Sequence, residues 1–184
     1  MPAASSRETE IASHALGTDV ANLDVVPADG SLRRLDAQLA EQDKKNRLKK
    51  LLRGLDDRYD RVVLDCPPSH GDLAEQLFRA ADLLVVPLLP SPLSLRVYDM
   101  VIEEVAGKYG GKPPILPVFS MVDRRRSLHR ETVAARPEWS CIPYSSDIES
   151  MAVHGQPVTA RARTSTAARS LSDLWARVEA ALRG

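Results

Sequence analysis

The sequence is poor in several features that mark whole classes of protein. Aromatic residues make up 4% of its 184 residues, too few for the stacked platforms that bind single-stranded nucleic acid. No apolar run approaches the roughly 18 residues that a membrane-spanning helix needs. Lys plus Arg equals Asp plus Glu at 25 each, so no excess of one charge draws the chain to nucleic acid or to an anionic membrane. Any such attraction must come from a local patch.

Cysteine is also scarce, and its placement argues against two kinds of stabilising site. Cys66 and Cys141 lie far apart without a C-x-x-C spacing or a histidine partner, which disfavours both a zinc site and a disulfide scaffold. The first ten residues, MPAASSRETE, lack the basic and apolar regions of a signal peptide. We therefore expect a cytoplasmic protein without a membrane span.

The hydrophobic pattern alternates short β-rich runs with longer helical segments. This alternation predicts an α/β fold with a mainly parallel sheet flanked by helices. The predicted strands are residues 23–27, 61–65, 82–88, 114–122 and 140–143. The predicted helices are residues 31–55, 91 to about 105, and about 166–182. Ser91 before Pro92 is a strong helix start, because serine caps the first turn and proline lacks an N–H that has no partner there.

One acid stands at the end of a predicted strand. Asp65 closes the run 61–65, and in open α/β sheets ligands bind beyond the carboxyl ends of the strands. A carboxylate there should meet a cation, N–H donors or a magnesium-bound water, although a capping or turn aspartate is the alternative. Pro67 and Pro68 stiffen the loop that follows, and Gly71 gives it a joint. Such a loop is suited to act as a switch.

The segment DCPPSHG at 65–71 resembles the Walker B and switch II region of the ParA/MinD family of deviant Walker A P-loop ATPases. Residues 22–28, 80–87, 118–125 and, as one segment in two parts, 142–143 and 151–158 resemble further segments of that family in the same order. The resemblance implies an incomplete Rossmann-like sheet of the P-loop NTPase type. It also implies a flexible N-terminal segment at 1–18 and a ParA-like α/β domain at 19–184 that lacks the first strand and the P-loop.

The family's phosphate-binding loop, rich in glycine and bearing lysines, does not occur in the sequence. Residues 107–112 are the nearest imitation, but Pro113 takes the Ser/Thr place and the stretch ends a helix, so we interpret it as a turn. The chain is thus expected to be a fragment or mis-started reading frame, a natural pseudo-ATPase, or a protein that completes its sheet against a partner. We predict no significant ATPase activity for the chain alone, and its binding of nucleotide is doubtful.

The resemblance also assigns roles to residues of this chain, with ATP and Mg²⁺ as the family's cofactors. It implies that Asp65 holds a magnesium-bound water. The residues that would sense the nucleotide in the switch loop are Pro67, Pro68, Ser69 and Gly71. The residues that lie where the family builds its adenine pocket are Asp123, Arg124 and Pro143, with unliganded strand-end positions as the alternative. Because the phosphate-binding lysines are missing, no residue is predicted to be catalytic.

ParA proteins commonly bind DNA without sequence preference through surface arginine and lysine. The densest basic run here comprises Arg124, Arg125, Arg126 and Arg130, with an ordinary solvated face as the alternative. The resemblance implies partitioning or positioning of DNA or other cargo. The partners it implies are a second copy or an intact ParA-like relative, and a ParB-like protein. A non-catalytic module that dimerises or binds such a relative is the alternative function.

Overall fold

The computed structural model describes residues 10–27, 46–66 and 72–183, which fall into two compact units divided between Ala81 and Asp82. The elements described in the first unit are α1 (Glu10–Ser13), β1 (Leu16–Gly17), β2 (Asp24–Val25), α2 (Arg47–Arg53) and α3 (Asp72–Ala80). Those of the second unit are β3 (Leu84–Leu88), α4 (Pro92–Tyr109), β4 (Ile115–Val122), α5 (Ser127–Ala134), β5 (Ser140–Pro143), α6 (Ser146–Glu149), α7 (Met151–His154), α8 (Val158–Arg161) and α9 (Thr166–Arg183).

In the first unit, β1 and β2 form a two-stranded antiparallel pair. The predicted strand at 23–27 is therefore reduced to two residues and does not join a parallel sheet. The predicted helix at 31–55 is present as α2, while residues 31–45 lie outside the described residues. Gln76, 4% exposed, joins α2 to α3, because its Oε1 accepts the Leu48 N–H at 3.0 Å. This bond satisfies one donor of the first turn of α2.

The predicted strand at 61–65 is wrong, because residues 61–66 adopt no regular secondary structure. Val62 is 45% exposed and Val63 is 79% exposed. A short strand is stable only beside a neighbour that accepts its hydrogen bonds. In the described part of the first unit, the strands β1 and β2 pair with each other.

The second unit contains the mainly parallel sheet that the sequence predicts, in the order β3-β4-β5. Leu84 pairs with Ile115 at the start of the β3–β4 ladder, and Val122 pairs with Pro143 at the end of the β4–β5 ladder. The predicted strand at 140–143 matches β5, and those at 82–88 and 114–122 are confirmed with slightly shorter spans. The α/β class with flanking helices is thereby confirmed.

Aromatic and aliphatic side chains form the core beneath this sheet. Phe119 is 0% exposed and packs with Leu88 and Val122. The Trp139 ring centroid lies 4.9 Å from that of Phe119 and 4.9 Å from that of Tyr98, which is on α4. A second buried cluster, comprising Val158, Ala167 and Ala168, packs α8 against α9. These contacts fix the strands whose ends carry the predicted site.

Helix α4 begins where its sequence predicts, and it ends four residues beyond its predicted end at about residue 105. The Ser91 Oγ accepts the Ser94 N–H at 3.2 Å, and Pro92 is the first helical residue. The helix continues through Gly107 to Tyr109, and it ends where Gly110 takes a left-handed conformation with φ 63°. A left-handed glycine at this position is a common helix terminator, since glycine has no Cβ to clash.

Candidate functional site

The carboxyl ends of β4 and β5 bring together the residues predicted for the base side of a nucleotide site. Val122 pairs with Pro143, and the Val122 carbonyl accepts the Tyr144 N–H at 3.0 Å. Asp123 and Arg124 follow Val122 directly, so they leave the sheet at the same edge as Pro143. This is the edge at which open α/β sheets bind ligands. The roles of the three residues remain predictions.

A β-bulge interrupts β4 just before this edge. The β4–β5 register shifts between Phe119 and Val122, and Met121 takes a left-handed conformation with φ 54°. That conformation costs a residue with a side chain about 1–2 kcal/mol. Bulges redirect a strand end, and strained backbone residues cluster at functional sites. The bulge is thus a second, independent feature that marks the β4–β5 edge.

Asp123 is held by Arg125 through three hydrogen bonds. Its Oδ1 accepts the backbone N–H and the Nε–H of Arg125, each at 3.0 Å, and its Oδ2 accepts an Nη2–H at 3.0 Å. These bonds, with a minor contribution from the charge of Arg126, lower the pKa of Asp123 to about 2. The Asp123 carboxylate therefore stays ionised, and it balances the charge of Arg125.

A buried histidine supports the same loop. His129 lies on α5, is 6% exposed, and accepts the Asp123 backbone N–H on its Nδ1 at 3.1 Å. The sequence analysis missed this residue. The available signal was a histidine in the first turn of a helix that directly follows a strand-end loop, but its burial is a tertiary property that the sequence does not display.

The basic run at 124–130 divides into engaged and outward-facing arginines. Arg130 donates from Nη1 to the carbonyl oxygens of Arg124 and Arg125, at 2.9 and 3.1 Å, and so folds back over the loop. Arg125 is paired with Asp123. Arg124 and Arg126 are exposed, and within the described ranges neither side chain has an acidic partner within salt-bridge distance. Their charges are available to an anionic ligand.

Tyr144 and Glu149 extend the polar edge beyond β5. The Tyr144 hydroxyl donates to Glu149 Oε1 at 2.7 Å, and this hydrogen bond raises the pKa of Tyr144. The Arg125 charge acts on this pKa in the opposite direction. Half of the Tyr144 side chain, 49%, is exposed. The sequence analysis did not single out either residue.

Asp65 lies in the first unit, where the structure describes it as exposed. Its carboxylate accepts no hydrogen bond from the described residues, so its oxygens are open to the water shell of a hard cation such as Mg²⁺. The predicted switch residues Pro67, Pro68, Ser69 and Gly71 lie outside the described residues. No group of three or more His, Cys, Asp or Glu that could hold a metal occurs among residues 10–27, 46–66 and 72–183. The water-mediated metal contact of Asp65 stays a prediction.

A nucleotide triphosphate needs backbone N–H donors in a glycine-rich loop with a lysine, and the 184 residues contain no such sequence. The residues present therefore do not fit a triphosphate. The roles predicted for Asp65 in the first unit and for the β4–β5 edge in the second unit stay predictions.

Comparison with known proteins decides the family. A sequence model described as an AAA domain matches residues 3–107, more than half of the chain. The chain is 29% identical over 169 residues to the chromosome-partitioning ATPase Soj of Treponema pallidum (strain Nichols). The aligned region covers 85% of this chain and 67% of that protein. It is 36% identical over 114 residues to the virulence plasmid ParA family protein pGP5-D of Chlamydia psittaci, covering 60% and 43%. The chain belongs to the ParA/MinD family of P-loop ATPases.

A solved structure supports the fold of this ParA-like chain. The cobyrinic acid a,c-diamide synthase of Mycobacterium smegmatis, with bound ADP and magnesium, superposes with a TM-score of 0.59 at 24% identity. The superposition covers 80% of this chain and 69% of that chain. At this identity the likeness concerns the fold alone. None of the helices in the described ranges combines the length and apolar character needed to cross a membrane.

Proposed function

We propose that the ParA-like chain takes part in partitioning or positioning DNA or other cargo, in a form that does not hydrolyse ATP by itself. One observation carries the proposal: Asp123 follows Val122, the residue that pairs with Pro143 at the carboxyl edge of parallel strands, in a family member whose 184 residues lack a phosphate-binding lysine loop. The Treponema relative is named as a chromosome-partitioning ATPase. Partitioning is part of the proposal for this chain, whereas ATP hydrolysis by the chain alone is not.

A metal-binding role is proposed for Asp65 of the first unit. When bound, Mg²⁺ would neutralise charge on the nucleotide phosphates. The exposed Asp65 carboxylate would hold a water of that ion, and the loop at 67–71 would respond to the nucleotide through Pro67, Pro68, Ser69 and Gly71. Since no residue of the chain fits the triphosphate, we assign no hydrolytic step to it.

A base-binding role is proposed for Asp123, Arg124 and Pro143 of the second unit. Three hydrogen bonds from Arg125 hold the Asp123 carboxylate. Pro143 ends β5 at the same edge of the sheet, with its backbone angle fixed by its ring. Arg124, whose guanidinium is exposed, would lie over an aromatic base or reach a phosphate. The cofactors of this proposal are therefore ATP and Mg²⁺, bound weakly by the chain alone.

Duplex DNA is the proposed ligand of the exposed arginines. Arg124 and Arg126 would contact phosphates directly, whereas Asp123 balances the charge of Arg125 and Arg130 is bonded to loop carbonyls. Contacts of this kind read no bases and weaken steeply with salt. We further propose a cytoplasmic location and association with a second copy or an intact ParA-like relative, with a ParB-like protein as an additional partner.

Phosphate release from Mg-ATP tests the enzymatic part of the proposal. The purified 184-residue chain and its Asp65→Asn variant should both release phosphate at the rate of buffer, with or without duplex DNA. Asparagine keeps the size of aspartate but removes the charge that attracts the hydrated metal. Release by the wild-type chain that Asp65→Asn abolishes would contradict the proposal.

A second candidate function, a non-catalytic interaction module, is favoured by the exposed run around Val62 and Val63. These two side chains are 45% and 79% exposed in a segment without strand partners among the described residues. An unpaired apolar segment of this kind can add to the sheet edge of another chain. The partner would be a second copy or an intact ParA-like relative.

Sedimentation of the chain across a concentration series tests the interaction module. If the 61–66 segment mediates self-association, Val63→Lys should yield monomer where the wild-type chain forms dimer. Val153→Lys is the matched control, because Val153 is 81% exposed on α7, outside the unpaired segment. A wild-type chain that remains monomeric, or equal effects of the two variants, would count against self-association through this segment.

A further inference from the structure

A buried side chain, that of His129, is hydrogen-bonded to the loop at the end of β4, and His129 is not one of the predicted site residues. His129 is the only histidine among the buried side chains of the described residues, with 6% exposure. Burying an imidazole is costly unless its nitrogens are hydrogen-bonded. Its Nδ1 accepts the Asp123 N–H at 3.1 Å, which requires that this nitrogen carry no proton.

The Asp123 amide depends on this histidine because the sheet cannot accept it. The bulge between Phe119 and Val122 shifts the register, and the ladder ends where the Val122 carbonyl accepts the Tyr144 N–H at 3.0 Å. The Val122 carbonyl and the Asp123 N–H belong to one trans peptide and point in opposite directions, so the N–H faces away from β5. On that side the β3–β4 ladder has already ended at the Leu88–Phe119 pair. A backbone donor in a folded protein needs a partner, and His129 supplies it from α5.

The other bonds of the loop are local. Asp123 and Arg125 bind each other, the Arg126 N–H donates to the Asp123 carbonyl at 3.1 Å, and Arg130 donates to the loop carbonyls. These bonds shape the loop without joining it to a buried side chain. The bond to His129 does join the loop to a buried side chain, and this fixes the position of the loop relative to β4 and β5.

We propose that His129 is a positioning residue: it holds the Asp123 amide and thereby fixes the base-side wall formed by Asp123 and Arg124. The assignment of that wall to a nucleotide base rests on the proposed function, whereas the positioning itself does not. His129 touches no ligand in this proposal. It acts through the backbone of Asp123.

Nuclear magnetic resonance of the ¹⁵N-labelled 184-residue chain tests the hydrogen bond without any substitution. An N–H···N hydrogen bond transmits a scalar coupling between its two nitrogens. We expect a coupling between the Asp123 amide nitrogen and His129 Nδ1, and a pyridine-like chemical shift for Nδ1. A proton on Nδ1, shown by a pyrrole-like shift, would overturn the proposal even if every variant failed to fold.

Two isosteric substitutions test the positioning. His129→Asn keeps a hydrogen-bond acceptor near the position of Nδ1. His129→Leu introduces a side chain of similar shape to that of asparagine but without an acceptor. Amide hydrogen exchange at Asp123 should be roughly fivefold faster or more in His129→Leu than in His129→Asn, the size expected for loss of one hydrogen bond. Exchange in the β3–β4 ladder, such as at Val86, serves as the reference for global stability. Equal exchange at Asp123 in the two variants would overturn the proposal.

Nucleotide binding separates this proposal from the function it rests on. If the exchange difference is observed and Mg-ADP broadens no resonance of residues 123–126, His129 positions the loop but the loop is not a base site. If Mg-ADP shifts those resonances in wild-type chain and His129→Asn but not in His129→Leu, both proposals stand. If it shifts them equally in all three proteins, the loop binds the base without need of His129, and the claim that His129 fixes the base-side residues fails even where the exchange difference is observed.

Discussion

Replacing Phe119 by alanine should lower the free energy of unfolding of the second unit by about 3–5 kcal/mol. The side chain is 0% exposed, packs with Leu88 and Val122, and has its ring centroid 4.9 Å from that of Trp139. Alanine removes the ring, and the surrounding strands and helices can close only part of the cavity. The loss is a large fraction of the roughly 5–15 kcal/mol that stabilises a typical domain.

Urea denaturation followed by tryptophan fluorescence measures this loss in the correct unit. Both tryptophans, Trp139 and Trp175, belong to the second unit, so the first unit contributes no tryptophan signal. With a slope of about 1–1.5 kcal/mol per molar urea, the Phe119→Ala midpoint should fall by about 2 M or more. Met121→Ala is the control on the same strand, because Met121 is 54% exposed and its truncation should change stability by less than about 0.5 kcal/mol. Equal midpoints for the two variants would refute the packing argument.

Three further predictions concern the cap of α4 and the β4–β5 edge. Ser91→Ala removes the side-chain acceptor of the Ser94 N–H and should cost about 1 kcal/mol in thermal unfolding; an unchanged melting temperature would contradict this. Arg125→Gln should raise the pKa of Asp123 from about 2 towards its ordinary 3.8, as followed by carboxyl carbon shifts. A carboxyl group whose pKa is lowered by folding stabilises the folded state at pH values above its ordinary pKa. The free energy of unfolding of the wild-type chain should therefore fall as the pH drops from about 4 through about 2, and it should fall less in Arg125→Gln. Arg126→Gln should reduce the logarithmic salt slope of duplex-DNA binding by about 1, and Arg125→Gln by less, because Asp123 already balances Arg125; equal reductions would contradict the assignment.

Local signals predicted the parts of the fold that depend on a few neighbouring residues. The Ser91-Pro92 start of α4 was predicted because capping involves one turn of helix. Its end was predicted too early because Gly107 resembles a terminator, yet the left-handed residue is Gly110. The strand at 61–65 was predicted from its apolar run, but a strand also needs a partner, which the run itself does not specify.

The candidate site also has features that the sequence predicted and features that depend on tertiary packing. Asp123 and Pro143 were assigned to the base side by the resemblance to the ParA/MinD family, and their roles stay predictions. The observed register places both residues at the same edge of the sheet. The Arg125 clamp and the His129 anchor were not predicted, because which side chain fills a hydrogen bond depends on how α5 packs behind the loop. The bulge at Met121 also escaped the sequence analysis, since no glycine marks its left-handed residue.

Calorimetric titration with ATP and Mg²⁺ tests the central claim most directly. The claim is that this ParA-like chain has a base-side edge and a carboxylate for hydrated magnesium, but no residues that hold the triphosphate. The purified 184-residue chain and its Asp65→Ala variant should therefore both show no tight binding. Tight binding by the wild-type chain that Asp65→Ala abolishes would contradict the account, because it would mean that this chain builds a phosphate site from other residues.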